Sequence, residues 1–207
     1  QIGFINNLRK IYETGEDKAL LISATGTGKT YASAFAAREL EFKRVLFLVH
    51  RNQIVKQALK SYRKVFGGQV SMGMVTGKYQ DYDADFVFAT IQTLSKTDIL
   101  SQYNREHWDL IIIDEAHHSS ADSYKKIMDY FKPKLWLGMT ATPDKRDDHL
   151  GDRNIYEIFN HQIAYEIRLQ NAMEENLLCP FHYFGLTDLE IIADVGKSSE
   201  EKVENFR

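Results

Sequence analysis

The sequence predicts an α/β fold, a parallel sheet with helices on both faces, from three observations. Short apolar runs alternate with stretches of helical periodicity. Two of those runs, Val45–Val49 and Leu110–Ile113, contain no polar residue, as expected of strands covered on both faces. A glycine-containing loop, Ser23–Thr30, stands between one apolar run and one helical stretch. With 207 residues, 43% of them hydrophobic, the chain has material for one ordinary domain with a sizeable core, plus a tail.

Each element has its own justification. Ile2, Phe4, Ile5, Leu8, Ile11 and Tyr12 fall near helical spacing, so Ile2–Tyr12 is a helix, which Thr14-Gly15 ends. Ala19–Ile22 is a short strand that runs into the glycine loop, and a helix follows from about Lys29 to Leu40. Arg44–Val49 is the second strand. Arg51–Phe66 is an amphipathic helix, with Ile54, Val55, Ala58, Leu59, Tyr62 and Phe66 on one side, and Gly67-Gly68 is a turn. Val70–Val75, Asp85–Ala89 and Leu110–Ile113 are further strands, Ser120–Phe131 is a helix, and Leu135–Met139 is another strand. Parallel strands joined through helices call for right-handed crossovers. The stretch from about Asp188 is acidic and without a clear period, and reads as a linker or a broken-off element.

Composition narrows the classes of function. No apolar run has the length of a membrane span, and no charged-then-apolar leader opens the chain, so neither a membrane nor secretion is expected. Cys179 is the single cysteine, which rules out an internal disulfide and fits a reducing cytoplasm. A first residue of Gln1 rather than Met fits a piece of a longer protein. Net charge is −3, with 26 basic against 29 acidic residues, which taken whole argues against nucleic acid. Its distribution argues otherwise. Between Phe42 and Gln80 stand eight basic residues (Lys43, Arg44, Arg51, Lys56, Lys60, Arg63, Lys64 and Lys78) and no acidic one. From Asp144 onward the balance reverses, with fourteen acidic and seven basic. A charge run is ordinarily a solvated face; this one falls where a polyanionic track would have to bind.

Two motifs carry chemistry. Ser23-Ala24-Thr25-Gly26-Thr27-Gly28-Lys29-Thr30 follows a strand and opens a helix, the setting a phosphate-binding loop requires. Glycine lets backbone N–H groups of Thr25–Thr30 approach phosphates, and the helix N-terminus adds positive potential. Lys29 is expected to reach the β- and γ-phosphates and the Thr30 hydroxyl to bind Mg²⁺. Ser23 replaces the first glycine of the general pattern. The second motif, Asp114-Glu115-Ala116-His117, sits at the carboxyl end of a buried strand, the edge where open parallel sheets bind ligands. Adjacent carboxylates there would be costly to bury unpaired. Asp114 is expected to hold Mg²⁺ through its water shell, and Glu115 to polarise the attacking water. His117 and His118 lack carboxylate or cysteine company at ligand spacing, so a metal site is not expected of them; His117 is expected to link the nucleotide site to neighbouring segments.

In this order and spacing, the residues resemble the first RecA-like motor domain of superfamily-2 helicases and translocases of the DEAH-box spelling. Nearest is the branch that contains the motor subunits of type III restriction enzymes. The resemblance runs from Gln1 to about Phe184. It implies a P-loop NTPase domain over 1–184, with 185–207 a linker or the start of a following domain. It implies ATP and Mg²⁺ as cofactors and places Gln1 where the family reads adenine. It implies contacts to DNA phosphates from Val49-His50-Arg51-Asn52 with Gln53 and Gln57, from Val75-Thr76-Gly77, and from Ala89-Thr90-Ile91-Gln92-Thr93; Lys56, of the basic run, is expected to add a phosphate contact of its own. Thr140-Ala141-Thr142-Pro143 takes the place of the segment that couples hydrolysis to strand contact, and Ala172–Pro180 that of the passage toward a second motor domain. There the family favours Gly where Asn176 stands.

That second RecA-like domain would be the chief partner beside DNA, since the family sets ATP between two such domains and the second supplies an arginine finger. Alone, then, the chain is expected to bind Mg-nucleotide and turn it over very slowly. Three other functions remain open at this level. An RNA helicase differs only in its track, and no residue here reads a 2′-hydroxyl. A nucleotide-gated scaffold in a restriction or defence complex would use binding rather than turnover, against which the intact Lys29, Asp114 and Glu115 count. A small-molecule kinase would leave the basic run and Thr140-Ala141-Thr142-Pro143 without purpose.

Overall fold

The computed structural model describes residues 2–118, 122–143, 154–168 and 172. Gln1, Ser120, Cys179, the 173–180 part of the passage out of the domain, the 184/185 boundary and the acidic stretch from Asp188 lie outside them.

Seven strands form one sheet in the order β3-β4-β2-β5-β6-β1-β7. They are β1 (Lys18–Ser23), β2 (Val45–Val49), β3 (Met72–Val75), β4 (Phe86–Thr90), β5 (Leu110–Asp114), β6 (Leu135–Thr140) and β7 (Ile163–Ile167). Every neighbouring pair is parallel. Side chains alternate along a strand, so a central strand buried on both faces serves two cores. Val45, Phe47 and Val49 of β2 enter one core, and Leu46 and Leu48 enter the other. The first core is closed by α1 (Ile2–Glu13), α2 (Lys29–Glu39) and α3 (Asn52–Phe66), through Phe4 and Leu8, Ala34 and Ala37, Val55 and Tyr62. The second is closed by α4 (Ile91–Leu94), α5 (Thr97–Leu100), α6 (Asp122–Tyr130) and α7 (Ile155–Ile158). The expected parallel sheet with helices on both faces is therefore the fold observed.

α3 packs five buried residues, with Tyr62 edge-on to Phe47 and Phe88 at centroid distances of 5.6 and 5.1 Å. Gly67, at φ 60°, ends it where a side chain would be strained. Gly138 in β6 lies under the buried Phe159 ring, which would stand 2.6 Å from an added Cβ.

Four elements depart from the sequence expectation. β7 pairs with β1 at the sheet edge; only Ala164 and Ile167 are buried, so it carries no apolar run to announce it. α4, α5 and α7 are four residues each, too short to show a helical period. Boundaries elsewhere shift by a residue or two: β3 begins at Met72, and Arg51 caps α3 rather than lying within it.

Candidate functional site

All strands run the same way, so the loops after them gather at one sheet edge, and both chemical motifs are there. β1 ends at the buried Ser23, and the chain turns through Gly26 at φ 88° and Gly28 at φ 86° before α2 begins. Gly28 caps α2 with no side-chain hydrogen bond, so no cap side chain covers the first-turn N–H groups. The loop is held by its own hydroxyls. Thr27 Oγ1 donates to the Ala24 carbonyl at 2.7 Å and shares a hydrogen bond with Ser23 Oγ at 2.6 Å. Ser23 thus does at the loop's start what glycine cannot: it ties the loop across its mouth. Lys29 Nζ donates to the carbonyls of Ser23 at 2.8 Å and Ala24 at 3.1 Å.

β5 ends at Asp114, and Glu115 follows at φ 55°, a left-handed conformation that costs a residue with a Cβ. The turn continues as a 3₁₀ segment, Ala116–His118. Burial, then the Glu115 charge, push the Asp114 carboxyl up to about 6, against the pull of Lys29 and the Glu115 N–H. Burial likewise holds the Lys29 ammonium below the usual lysine range, with Asp114 and Glu115 opposing. These three groups therefore sense one another across the edge. The Glu115 side chain is 43% exposed whereas that of His117 is 6% exposed. Glu115 faces the open space and His117 faces the protein.

His117 is the joint to β6. Its Nδ1 lies 3.1 Å from Thr140 Oγ1 and 3.4 Å from Glu115 Oε2. Thr140 Oγ1 in turn accepts from the Thr142 N–H at 3.1 Å, and Thr140 is fully buried. The Asp-Glu-Ala-His turn and the Thr-Ala-Thr-Pro segment are thereby one hydrogen-bonded unit.

A cavity of about 380 Å³ collects these parts: Thr25 from the glycine loop, Glu115 and His117, Ala141 and Thr142, and, from the β2–α3 junction, His50, Arg51 and Ile54. The remaining sequence-predicted contacts continue along the same edge, on the three adjacent strands β2, β4 and β3. His50, Arg51 and Asn52 follow β2 and are exposed. Gln92 Nε2 lies 3.4 Å from His50 Nε2, and Thr90 Oγ1 donates to Thr93 Oγ1 at 2.9 Å, so the turns after β2 and β4 meet. Thr76 is buried and accepts from the Lys78 N–H at 3.3 Å; Gly77 beside it is exposed. Asn52, Lys56 and Thr76 line a second cavity of about 140 Å³ with Met74, Lys78 and Tyr79. Gln1 lies outside the described residues.

The basic stretch does not form one surface. Lys43 and Arg44 precede β2 at the opposite edge, where their N–H groups donate to Asp109 and Arg44 Nε lies 3.8 Å from Asp85. Arg63 and Lys64 occupy the last turn of α3, far from its N-terminus. Arg51, Lys56 and Lys78 are the basic residues of the run that line the edge cavities. A sequence run ignores that a helix antiparallel to its strands carries its two ends to opposite edges. Sequence reasoning also missed a third cavity of about 100 Å³ behind the glycine loop, where Phe4 and Tyr165 join Ser23, Thr27 and Lys29. Tyr165 belongs to β7, the strand with no apolar signal.

Among the described residues no group of histidine, cysteine and carboxylate side chains is arranged to hold a metal on its own. No described helix is long and apolar enough to cross a membrane.

Known proteins are similar to this chain in sequence and in fold. The chain is 30% identical over 198 residues to a type I restriction enzyme EcoAI endonuclease subunit of Escherichia coli, covering 87% of this chain and 23% of that one. It is 30% identical over 209 residues to the putative ATP-dependent helicase IRC3 of Saccharomyces cerevisiae, covering 92% and 28%. The chain thus spans about a quarter of the length of these curated relatives. A solved nuclease-deletion mutant of the type ISP restriction-modification enzyme LlaGI, in complex with a DNA substrate mimic, superposes with a TM-score of 0.64. The two are 20% identical, and the match covers 84% of this chain and 20% of that one. The family described as type III restriction enzyme, res subunit, matches residues 1–145, and with the parallel sheet and its edge motifs in place the chain belongs to that family of superfamily-2 helicase motor domains.

Proposed function

We propose that this chain is the first motor domain of an ATP-dependent DNA helicase or translocase, coupling Mg-ATP hydrolysis to sequence-independent movement on DNA. One observation carries the reading: a single cavity is lined by the glycine loop, the Asp-Glu-Ala-His turn, the Thr-Ala-Thr-Pro segment and the basic β2–α3 junction. A nucleotide held at one end of that cavity lies within reach of a strand held at the other.

The residues fit Mg-nucleotide. First-turn N–H groups that no cap side chain covers suit phosphate, and a carboxylate destabilised by burial at Asp114 gains from a nearby cation. Thr25, Gly26, Thr27, Gly28, Lys29 and Thr30 would cradle the phosphates, and Thr30 and Asp114 would hold Mg²⁺. When bound, the ion supplies neutralisation of developing phosphate charge. Lys29 would exchange its loop carbonyls for phosphate oxygens. Glu115 would accept a hydrogen bond from the attacking water, and the hydrogen-bonded unit of His117, Thr140 and Thr142 would carry the change to the strand contacts. His50, Arg51, Asn52, Lys56, Thr76, Gly77, Thr90, Gln92 and Thr93 would grip phosphates, which position a strand without reading bases.

DNA as the track is supported by the restriction enzymes among the relatives and by the DNA substrate mimic in the LlaGI complex. We further propose that residues 1–184 form this domain and 185–207 lead onward, that a second RecA-like domain of the same polypeptide completes the nucleotide cleft with an arginine finger, and that the protein works in the cytoplasm. Without that domain the chain would bind nucleotide and turn it over very slowly.

The test is ATP hydrolysis by the complete natural polypeptide with single-stranded DNA, duplex DNA, RNA or no nucleic acid, with Lys29→Ala as the blank. DNA should stimulate turnover, and Lys29→Ala should abolish it. Stimulation by RNA alone would make the protein an RNA helicase. Nucleotide binding without stimulated turnover would make it a nucleotide-gated scaffold.

A further inference from the structure

The proposed strand contacts are hydroxyl, amide and cationic groups suited to phosphates, yet an aromatic ring stands among them. Tyr79 is 39% exposed, and only Ile2 and Ile163 are exposed large apolar residues beside it among the described residues. Leaving such a ring in water forfeits burial, so its placement calls for a reason.

The ring is held in place by its backbone. Val75 and Gln80 form an antiparallel bridge, the Thr76 N–H donates to the Tyr79 carbonyl at 2.9 Å, and the Lys78 N–H donates to Thr76 Oγ1. Behind this turn Asp81 closes onto Met74 through two hydrogen bonds of 3.0 Å, one from its N–H to the Met74 carbonyl and one from the Met74 N–H to its carboxylate. Tyr79 therefore sits at the tip of a short pinned hairpin rather than on a free loop.

Its surroundings define a ligand. The cavity of about 140 Å³ beside it has Met74 as apolar wall, Asn52 and Thr76 as polar groups, and Lys56 and Lys78 as cations. The Lys56 ammonium stands 5.8 Å from the ring centroid. A flat apolar face next to two cations is the pairing that single-stranded nucleic acid meets with base and phosphate together. In a duplex the faces of the bases are already stacked, so the ring selects for an unpaired strand.

We infer that Tyr79 is a stacking platform for a nucleobase of an unpaired strand, with Lys56 and Lys78 on the flanking phosphates; this rests on the track-binding function proposed above. The contact is indifferent to sequence, since every base has a π-face. It converts a phosphate grip into one that also registers whether bases are present and unstacked.

The experiment is binding of the complete polypeptide to a fluorescent single-stranded oligonucleotide and to a base-free oligomer of the same length, by anisotropy. Wild type should prefer the intact strand. Tyr79→Ala should weaken intact-strand binding about tenfold and leave base-free binding unchanged, collapsing the preference. Tyr79→Phe should keep it, because the ring remains. Lys56→Ala should weaken both ligands alike. An unchanged ratio of intact to base-free affinity in Tyr79→Ala, with binding otherwise normal, overturns the stacking role while leaving the track reading intact. Wild type that binds neither oligomer removes the track reading, and the stacking role with it.

Discussion

Asp109 shows how a single residue can hold the sheet without advertising itself in the sequence. It stands just before β5, and its carboxylate accepts from the N–H groups of Lys43 at 2.7 Å and Arg44 at 2.9 Å and from Lys134 Nζ at 2.8 Å. It thereby ties the entries of β2, β5 and β6 together at the edge away from the site. Burial opposes its ionisation, but the hydrogen bonds from Lys134 and from the Arg44 and Lys43 backbone, with the Lys134 charge, outweigh burial and hold its carboxyl below the usual carboxylate range. A carboxyl held low in the folded state stabilises the protein above its unfolded pKa, near 3.9, and loses that contribution as pH falls through the folded value. Asp109→Ala should therefore cost about 1–3 kcal/mol at pH 7, and urea melts of the two proteins should converge as pH drops below about 4. A gap independent of pH would mean that the carboxylate charge does not matter. No sequence pattern marks Asp109, because its two backbone donors lie 65 and 66 positions away and its side-chain donor, Lys134, stands at the entry of another strand. Lys29, Asp114 and Glu115 were legible because chemistry fixes their residue types within short motifs.

Among the elements, those with a continuous apolar run or a long helical period were readable, since burial on a regular surface leaves a periodic trace. β7, α4, α5 and α7 left none, being short or half exposed. Pairings between elements are less legible still, and one of them bears on mechanism. Ser33 of α2 donates to the Thr30 carbonyl at 2.9 Å, and its Oγ meets Tyr62 Oη of α3 at 2.9 Å; both side chains are fully buried. The helix that opens at the glycine loop is thus joined by a buried polar contact to the helix that presents Arg51, Asn52 and Lys56. Buried polar contacts fix one relative position where apolar packing tolerates several. Tyr62→Phe keeps the ring and the Ser33–Thr30 bond while removing the contact between helices. It should cost about 0.5–1.5 kcal/mol of stability and lower DNA-stimulated ATP turnover several-fold, with unstimulated turnover and nucleotide affinity little changed. Equal loss in both turnover rates would assign Tyr62 to stability alone.

At the scale of the whole molecule, the sheet edge is divided. The proposed nucleotide motifs follow β1, β5 and β6, and the proposed strand contacts follow β2, β4 and β3, the two sets adjoining where β2 pairs with β5. Charge follows this division rather than the sequence run. Eight basic residues between Phe42 and Gln80 would, as one surface, neutralise eight phosphates and give a log–log salt dependence of roughly −6 on single-stranded DNA, at about 0.7 per phosphate. The fold sends Lys43 and Arg44 to Asp109 and Asp85 at the far edge and Arg63 and Lys64 to the end of α3, and leaves Lys60 about two turns along that helix. Arg51, Lys56 and Lys78 remain at the cavities, for which the same rule gives a slope of roughly −2 from this domain. Titrations of this chain with an oligonucleotide across salt concentrations should find the smaller slope, and Arg51→Ala should reduce it by about 0.7 while Arg63→Ala leaves it unchanged. A slope near −6, or one that Arg63→Ala and Arg51→Ala lower equally, would place the strand along the outer face of α3 instead of across the sheet edge. It would also separate the track from the cavity proposed to join it to the nucleotide, and the proposed coupling through His117 and Thr140 would then have no strand to act on.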